Sequence, residues 1–357
     1  MRILLFGNLT STHFAKWANS LAKRGHGVMV VGSPEPMKSS IRFNESVKIH
    51  QLKIAGKKGY YLNVFEVKKI IKLFKPDVVN AQYASGMGTL CRLAGIHPLV
   101  ISCYGSDVFE YPFQNKYNMY NIRKNLLYAD AIGSTSNAMA QQVRLLLNNP
   151  QMEVTVTPFG VDVERFSPAR IKREKIQPVI GIVKYLEPIY DIPLLLNAFS
   201  IVYNRLEVKP ILRIYGDGYL KEELESLAKR LNIASSVCFY GLISNDEVPN
   251  VIKEMDIFVN SSVKESFGVN MVEAMACGVP VVATDTAGAN EVIEADVTGV
   301  ILKDRNPETM ANAFEDLLVD DNKRALMGKA GRERVLELYN WDRNVITMEQ
   351  LYQSVMR

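Results

Sequence analysis

Short β-branched runs alternate with longer segments of helical periodicity along nearly the whole chain, a pattern typical of βα units that build parallel sheets. The runs fall into two sets. The first set of predicted strands is Arg2 to Phe6, Val28 to Val31, Val47 to Leu52, Asp77 to Ala81, Val100 to Cys103 and Ala131 to Ser134. The second set is Val179 to Val183, Ile211 to Tyr215, Val237 to Tyr240, Ile257 to Asn260, Val281 to Thr284 and Gly299 to Leu302. We therefore predict an α/β protein with two parallel sheets.

A charged segment bracketed by prolines, from Ser167 to Pro178, separates the two sets and is predicted to be an interdomain linker. A chain of 357 residues is also longer than one hydrophobic core usually supports. We predict a first domain over residues 1–168, a second over residues 178–339, and a helix over residues 340–357 that packs back on the first domain. Loops at the carboxyl ends of parallel strands form the ligand crevice, so functional residues are expected there.

Composition places the chain among ordinary folded proteins, with 48% apolar and 22% charged residues. The net charge of +4 gives no case for nucleic acid as a partner. Four cysteines, Cys91, Cys103, Cys238 and Cys277, stand singly and indicate buried thiols in a reducing compartment. The first apolar run is too short for a signal peptide, and no run approaches the roughly 20 residues of a membrane span. We expect a cytoplasmic protein, with the inner face of the cell membrane as its possible peripheral location.

Two glutamates with seven residues between them, Glu265 and Glu273, carry the strongest functional signal. A helix is predicted from near Gly268 to near Gly278, which leaves Glu265 in the preceding loop and Glu273 on the helix. The N–H groups at the start of that helix suit a phosphate. The alternative is a solvated loop acid and a glutamate at the polar edge of an amphipathic helix. That alternative explains Glu273 poorly, because a carboxylate in such apolar surroundings needs a hydrogen-bonding partner.

The sequences Glu-Ser-Phe-Gly and Glu-Ala-Met-Ala-Cys-Gly-Val-Pro-Val-Val, which begin at these two glutamates, closely resemble the retaining GT-B glycosyltransferases of family 4, the glycosyl transferases group 1. The resemblance runs from end to end. It implies two Rossmann-like parallel-sheet domains facing each other across a cleft. It also implies that Glu273 binds the ribose of a nucleoside diphosphate sugar, that Glu265 lies beside the transferred sugar, and that transfer retains the anomeric configuration.

The resemblance and the loops after the strands together predict the site residues. The predicted catalytic residues are Glu265, Lys184 and Asp107. The predicted donor-binding residues are Gly7, Asn8, Lys184, Gly216, Asp217, Ser266, Phe267, Gly268, Val269, Asn270, Glu273 and Gly288. The predicted acceptor-side residues are His13, Tyr83, Tyr104 and Ser106. No Asp-x-Asp motif is present and histidine is scarce, so we expect no metal. We also expect no cofactor, and a UDP-sugar in preference to a GDP-sugar as the donor substrate.

Two positions depart from the family pattern. Tyr104 stands where many relatives carry a histidine before Gly-Ser-Asp, which leaves Asp107 as the candidate from that loop. Relatives also carry a second cation and a glycine after the one kept as Lys184, and here Ile189 and Asp191 replace them. A single ammonium can still stabilise a departing diphosphate as a point charge. The sequence therefore predicts a diphosphate site with one clear cation and an additional, unfavourable acid.

The predicted function is transfer of a hexose or N-acetylhexosamine to a hydroxyl of a glycan or lipid-linked acceptor, in surface polysaccharide biosynthesis. The alternatives are a nucleotide-sugar 2-epimerase and a non-catalytic glycan-binding homologue. A Rossmann dehydrogenase is disfavoured because the Gly-x-Gly-x-x-Gly fingerprint is absent. The segment from Lys57 to Lys75 combines lysines, aromatic residues and an apolar stripe, which suits either an anionic membrane surface or a core-facing helix with a solvated basic face.

Overall fold

The computed structural model describes residues 1–36, 41–169 and 177–356. The chain divides into two compact units. The first comprises Met1–Phe159 and the residues from Asp342 onward, and the second comprises Gly160–Trp341. Residues 170–176, the middle of the predicted linker, lie outside the described residues.

The first unit is built on a parallel sheet of seven strands. The strands are β1 (Arg2–Phe6), β2 (Gly27–Gly32), β3 (Lys48–Gln51), β4 (Val78–Gln82), β5 (Leu99–Cys103), β6 (Ala131–Ser134) and β7 (Thr155–Val156). Their spatial order is β3-β2-β1-β4-β5-β6-β7. The helices are α1 (Thr12–Lys23), α2 (Gly56–Leu62), α3 (Val64–Phe74), α4 (Gly86–Ala94), α5 (Ser106–Phe109), α6 (Lys116–Tyr128) and α7 (Asn137–Leu147). The six strands predicted here are confirmed, and β7 adds a seventh of only two residues.

The second unit holds a parallel sheet of six strands. The strands are β8 (Val179–Val183), β9 (Ile211–Tyr215), β10 (Val237–Gly241), β11 (Ile257–Asn260), β12 (Val281–Thr284) and β13 (Gly299–Leu302), in the spatial order β10-β9-β8-β11-β12-β13. The helices are α8 (Ile192–Arg205), α9 (Lys221–Arg230), α10 (Val248–Lys253), α11 (Val269–Ala276), α12 (Ala287–Val292), α13 (Pro307–Val319) and α14 (Asp321–Leu338). Every predicted strand of this set is confirmed.

The strand orders locate the places where a ligand can bind. In the first sheet the order reverses between β1 and β4, and in the second between β8 and β11. At such a switch point the loops after the two strands diverge and leave a crevice. The central strands are buried on both faces, as in β1, where Ile3 to Phe6 are fully buried. The loops after β1, β4, β8 and β11 therefore rest on rigid cores.

A helix that follows the second unit in the chain, α15 (Trp341–Val355), contributes most of its residues to the first unit. Its buried face includes Val345, Met348 and Tyr352. On its polar side, Glu349 Oε1 accepts hydrogen bonds from Arg24 Nε at 2.8 Å and pairs with His26 Nε2 at 2.7 Å. The first unit is thus assembled from two separated stretches of the chain.

The structure bears on two expectations from the sequence, the burial of the cysteines and the lack of a membrane span. Cys91, Cys103 and Cys277 are buried, but Cys238 is only half-buried, because it lies on the edge strand β10. Among the helices of the described ranges, none has the length and apolar character needed to cross a membrane.

Candidate active site

The loop between β11 and α11 carries Glu265, and its carboxylate meets Lys184 from the loop after β8. Glu265 Oε2 lies 2.6 Å from Lys184 Nζ. Both side chains are largely withdrawn from solvent, with exposed fractions of 17% and 13%. The Lys184 ammonium also lies 4.7 Å from the ring centroid of Tyr190, a favourable cation–π geometry. The structure thus brings together two of the predicted catalytic residues at the switch point of the second sheet.

Helix α11 begins immediately after Gly268, whose φ of 83° suits a residue without a Cβ. Glu273 lies half-buried on this helix, and Asn270 Nδ2 donates to the carbonyl of Val183 at the end of β8. The predicted loop position of Glu265 and helical position of Glu273 are confirmed. The first N–H groups of α11 have no intrahelical acceptor by the geometry of a helix start, so this end carries partial positive charge.

Close backbone approach fixes the conformation of the Glu265 loop. The Gly288 N–H donates to the Glu265 carbonyl at 2.8 Å. A Cβ on Gly288 would lie 2.7 Å from the backbone of Phe267, so only glycine fits. The predicted role of Gly288 was to present its amide to a phosphate, whereas the observed amide is engaged by the loop that carries Glu265.

Asp191 is the acid that was expected to disfavour a diphosphate. It forms an ion pair with Arg305, a residue that was not predicted for the site. Its φ of 41° is the left-handed conformation that glycine adopts readily. Its carboxylate caps α8 by accepting from Leu194 N and pairs with Arg305. Arg305 follows β13 and also donates to the carbonyls of Ser261 and Ser262, at 2.9 and 3.1 Å.

Arg305 therefore ties together loops that follow β8, β11 and β13. The only sequence signal for it was a cation in a loop at the carboxyl end of a strand. Ile189, predicted to replace the second cation, is 42% exposed, and its carbonyl accepts from Val263 N at 2.7 Å. The residue between Ile189 and Asp191 is Tyr190, the ring that contacts Lys184.

Most of the predicted acceptor-side residues lie around a cavity of about 150 Å³ within the first unit. Its walls include Asn8 and His13 from the loop after β1, Tyr83 and Gln82 from the end of β4, and Tyr104 from the end of β5. The rings of Tyr83 and Tyr104 are stacked, with centroids 5.4 Å apart. Phe159 continues this aromatic wall, 5.2 Å from Tyr104 and 4.4 Å from His13.

Burial and the nearby Lys16 ammonium lower the pKa of His13 to about 4. The imidazole is therefore neutral at physiological pH. Burial also raises the pKa of the Tyr104 hydroxyl well above its usual value, so this group stays protonated. The cavity walls carry hydrogen-bonding groups but little charge.

Asp107 is buried, and backbone N–H groups donate to its carboxylate. It accepts from the N–H groups of Ala84 at 2.8 Å, Gly105 at 2.9 Å and Tyr104 at 3.1 Å. Burial raises the pKa of Asp107, although these hydrogen bonds oppose the shift. Its observed contacts make it a residue that positions the loops carrying Tyr83 and Tyr104.

The other predicted residues lie in loops or at helix starts and are either exposed or engaged in backbone hydrogen bonds. Asp217, Ser266 and Ser106 are exposed, and the Gly7 N–H is used by the carbonyl of Val31. Gly216 donates its N–H to the carbonyl of Gly241 at 2.8 Å. Within the described part of the chain, no group of three or more His, Cys, Asp or Glu side chains is arranged to hold a metal ion.

Comparison with known families matches both units. Residues 163–334 match the family model of glycosyl transferases group 1, and residues 2–136 match that of glycosyl transferase 4-like proteins. The solved structure of HepE from Anabaena in complex with UDP is similar, with a TM-score of 0.83, 17% identity and coverage of 99% of this chain and 100% of that one. Sucrose-phosphate synthase from Thermosynechococcus elongatus is also similar, with a TM-score of 0.82, 19% identity and coverage of 99% and 98%.

Curated relatives have higher sequence identity but cover a smaller part of this chain. A GDP-mannose-dependent phosphatidylinositol monomannoside mannosyltransferase of Mycobacterium tuberculosis is 29% identical over 208 residues, which are 54% of each chain. This chain thus spans about half the length of that relative. N-acetyl-alpha-D-glucosaminyl L-malate synthase of Bacillus anthracis is 25% identical over 94% of this chain and 91% of its own length. Both units thus match glycosyl transferase family models, and the chain has the GT-B fold.

Proposed function

We propose that this protein transfers a sugar from a nucleoside diphosphate sugar to a hydroxyl of a glycan or lipid-linked acceptor, with retention and without a metal. The observation that carries the proposal is the contact between Lys184 and Glu265 beside the start of α11. In the reaction the bond from the anomeric carbon to the diphosphate oxygen breaks, and a bond to the acceptor oxygen forms. The hydroxyl proton passes to the departing diphosphate oxygen, and the nucleoside diphosphate is released.

The three parts of this site have separate roles in the proposal. The Lys184 ammonium and the N-terminal end of α11 stabilise the negative charge that develops on the leaving diphosphate. Glu273 binds the donor ribose through hydrogen bonds to its hydroxyls. Glu265 faces the transferred sugar, and its contact with Lys184 orients its carboxylate. Asp107 acts as a positioning residue for the cavity loops.

The proposed donor is a UDP-hexose or UDP-N-acetylhexosamine, and the proposed setting is surface polysaccharide biosynthesis. HepE of Anabaena was solved with UDP, and the Bacillus anthracis relative is named as an N-acetylglucosaminyl malate synthase, which supports this donor class. A 2-epimerase remains the alternative enzyme. It would convert the donor without an acceptor and leave no glycoside.

The test is a thermal-shift screen of the full chain with UDP, GDP and ADP and their sugars, because a ligand that binds only the folded state raises Tm. We expect UDP and UDP-sugars to raise Tm most. Lys184→Met should weaken UDP binding at least tenfold, since it removes the charged partner of the diphosphate. Lys329→Met is the matched control, because Lys329 is 74% exposed on α14.

Two further variants test the roles of the glutamates in the reaction. Glu265→Ala should abolish transfer while UDP still binds, and Glu273→Ala should mainly weaken donor binding. Near-normal turnover of Glu265→Ala would contradict the assigned mechanism. A changed donor after incubation without acceptor would favour the epimerase.

We propose an anionic membrane surface as the partner of the face formed by α2 and α3 in the first unit. Phe65 and Leu73 on α3 are 84% and 71% exposed, and both line a groove of about 610 Å³ together with Lys69. The lysines of these helices and their ends are all exposed: Lys57, Lys58, Lys68, Lys69, Lys72 and Lys75. Exposed apolar side chains beside clustered ammonium groups match the apolar and anionic layers of such a surface.

Sedimentation with vesicles of phosphatidylcholine, alone or with phosphatidylglycerol, tests this partner. We expect binding that requires the anionic lipid and decreases with salt. The double variant Phe65→Ser and Leu73→Ser should reduce binding about tenfold, whereas Leu145→Ser, at a 70% exposed leucine elsewhere on the same unit, should not. Equal binding to neutral vesicles would contradict the proposal.

A further inference from the structure

Tyr339 lies immediately after α14 and contacts the loop that carries Glu265. Its side chain is 3% exposed, and its ring meets that of Phe267 edge to face, with centroids 5.6 Å apart and an interplanar angle of 79°. Phe267 is itself 3% exposed and lies two residues after Glu265. Buried ring pairs favour this edge-to-face geometry. The ring of Tyr339 therefore restricts where the loop can lie.

The hydroxyl of Tyr339 reaches the same loop by a second route. It donates to the carbonyl of Glu291 on α12, at 2.8 Å. Nearer the start of α12, the Gly288 N–H donates to the Glu265 carbonyl at 2.8 Å. Burial raises the pKa of Tyr339 to about 12, so the hydroxyl keeps its proton at physiological pH. One side chain thus supports the Glu265 loop directly through Phe267 and indirectly through α12.

The backbone of Tyr339 belongs to the paired segments through which the chain passes from one unit to the other. The Val161 N–H donates to the Tyr339 carbonyl at 2.9 Å, and the Trp341 N–H donates to the Val161 carbonyl at 3.0 Å. These residues lie where the second unit begins and ends, at Gly160 and Trp341. A shift of the paired segments would move the Tyr339 side chain, because that side chain is buried and bonded at its tip.

The position of the loop matters because Glu265 meets Lys184 over a short distance, 2.6 Å. A displacement of about 1 Å at a reacting group can lower a rate on the order of a hundredfold. Donor affinity depends in the proposed function on Lys184, the start of α11 and Glu273. A residue that sets the position of the Glu265 loop is therefore expected to change turnover more than donor affinity.

We propose that Tyr339 is a positioning residue for the proposed transfer. Through Phe267 and α12 it holds the loop so that Glu265 meets Lys184, and it links that loop to the paired segments at the boundary of the units. The inference rests on the proposed function, in which Glu265 faces the transferred sugar. In this role Tyr339 acts through the loop and not on the sugar.

Two variants separate the contacts of Tyr339, with UDP-glucose and UDP-N-acetylglucosamine as probes and release of UDP as the readout. Tyr339→Phe keeps the ring and removes the hydroxyl. We expect its kcat to fall about fivefold, because Arg334 still donates to the Glu291 carbonyl at 3.2 Å. Tyr339→Leu loses both contacts, and its kcat should fall about fiftyfold. KM and the Kd for UDP should stay within about threefold of those of the natural chain.

Tyr203→Leu is the matched control for a general loss of packing. The Tyr203 ring packs on Phe199 in α8, with centroids 5.9 Å apart, in the same unit. This variant should lower Tm without changing kcat.

A double-variant cycle tests the route through Phe267. Phe267→Leu removes the ring partner from the other side, so adding it to Tyr339→Leu should lower kcat by no more than about twofold further. Losses that multiply in the double variant would overturn the inference. Phe267→Leu and Tyr339→Phe keep most of the packing, so they decide the matter if Tyr339→Leu does not fold.

Hydrogen exchange of the unliganded full chain tests the positioning without turnover. Tyr339→Leu should speed exchange in residues 160–166, 261–268 and 287–293 and leave 307–319 unchanged. The inference is overturned if exchange of 261–268 is unchanged, if kcat stays within about twofold, or if KM rises as much as kcat falls. If the natural chain neither binds UDP nor releases it from either probe, the proposed function fails, and the exchange result alone decides whether Tyr339 positions the loop.

Discussion

His13 illustrates how its surroundings change the chemistry of one side chain. Its ring lies 4.4 Å from that of Phe159. Burial, and to a smaller extent the Lys16 ammonium, lower its pKa to about 4. The unfolded chain would have an ordinary histidine pKa near 6.5. Between these two values the unfolded state binds a proton that the folded state does not.

This difference predicts a pH-dependent loss of stability. The free energy of unfolding should be greatest above pH 6.5 and should fall as the pH drops from 6.5 to 4, by on the order of 2 kcal/mol from this residue. His13→Gln removes the proton-binding group, so its Tm should fall less between pH 7.5 and pH 4.5 than that of the natural chain. Parallel decreases of Tm in the two proteins would contradict the prediction.

Also at the residue scale, the positions of Glu265 and Glu273 could be predicted from the sequence, but the residues that contact Glu265 and Asp191 could not. Glu265 and Glu273 could be placed because one local motif contains both. The partner of Glu265 could not be predicted, because Lys184 is 81 residues away and the contact depends on how two loops leave the sheet. Arg305 and Asp191 are 114 residues apart, and neither shows its charge partner by local pattern. Among the described residues, the unpaired amide of Gln82 could not be predicted, since it is visible only once its neighbours are placed.

At the scale of elements, the strands were predictable because β-branched runs in parallel sheets are buried on both faces. β7 was missed because its two residues carry no periodicity. The bounds of α11 follow from Gly268 and Gly278, whose positive φ angles limit the helix. Loop geometry between elements was not predictable, and Asp107 shows why. A carboxylate that bonds three backbone N–H groups depends on two loops meeting, a tertiary event.

The Arg305 contacts across three loops give a prediction at this scale. Arg305→Met should lower the free energy of unfolding by about 1 to 3 kcal/mol, because two carbonyls and Asp191 lose a donor. Asp191→Asn should cost less than about 1 kcal/mol, since asparagine tolerates a positive φ, can cap α8, and loses only a half-exposed ion pair. Urea unfolding of the two variants measures both values, and the reverse order of cost would contradict this account.

At the scale of the whole molecule, the two parallel sheets were predicted from the sequence, whereas their strand orders were not. The assembly of the first unit from two stretches was an expectation about the last helix. Glu349 stabilises the packing of α15 in that unit through its contacts with Arg24 and His26. Burial opposes its ionisation, but hydrogen bonds from Arg24 and His26 lower its pKa overall. Its stabilising effect is therefore present above the ordinary pKa and is lost as the pH falls below it.

Glu349→Ala should loosen α15 without disturbing the second unit. Hydrogen exchange followed by mass spectrometry should show faster exchange in peptides of α15 and of the Arg24 to His26 turn, with residues 177–338 unchanged. Glu337→Ala, at an exposed position on α14, should leave both regions unchanged. Unaltered exchange of α15 in Glu349→Ala would mean that its apolar face alone holds it.

The assembly of the first unit from two stretches also affects synthesis on the ribosome. Residues 160–341 must be translated before α15 exists, which takes roughly 10 to 40 s at 5 to 20 residues per second. During that time the apolar surface that later receives Val345, Met348 and Tyr352 is uncovered. The nascent first unit therefore offers a binding site for chaperones until the second has been made, and stalled translation within the second unit would leave an aggregation-prone product.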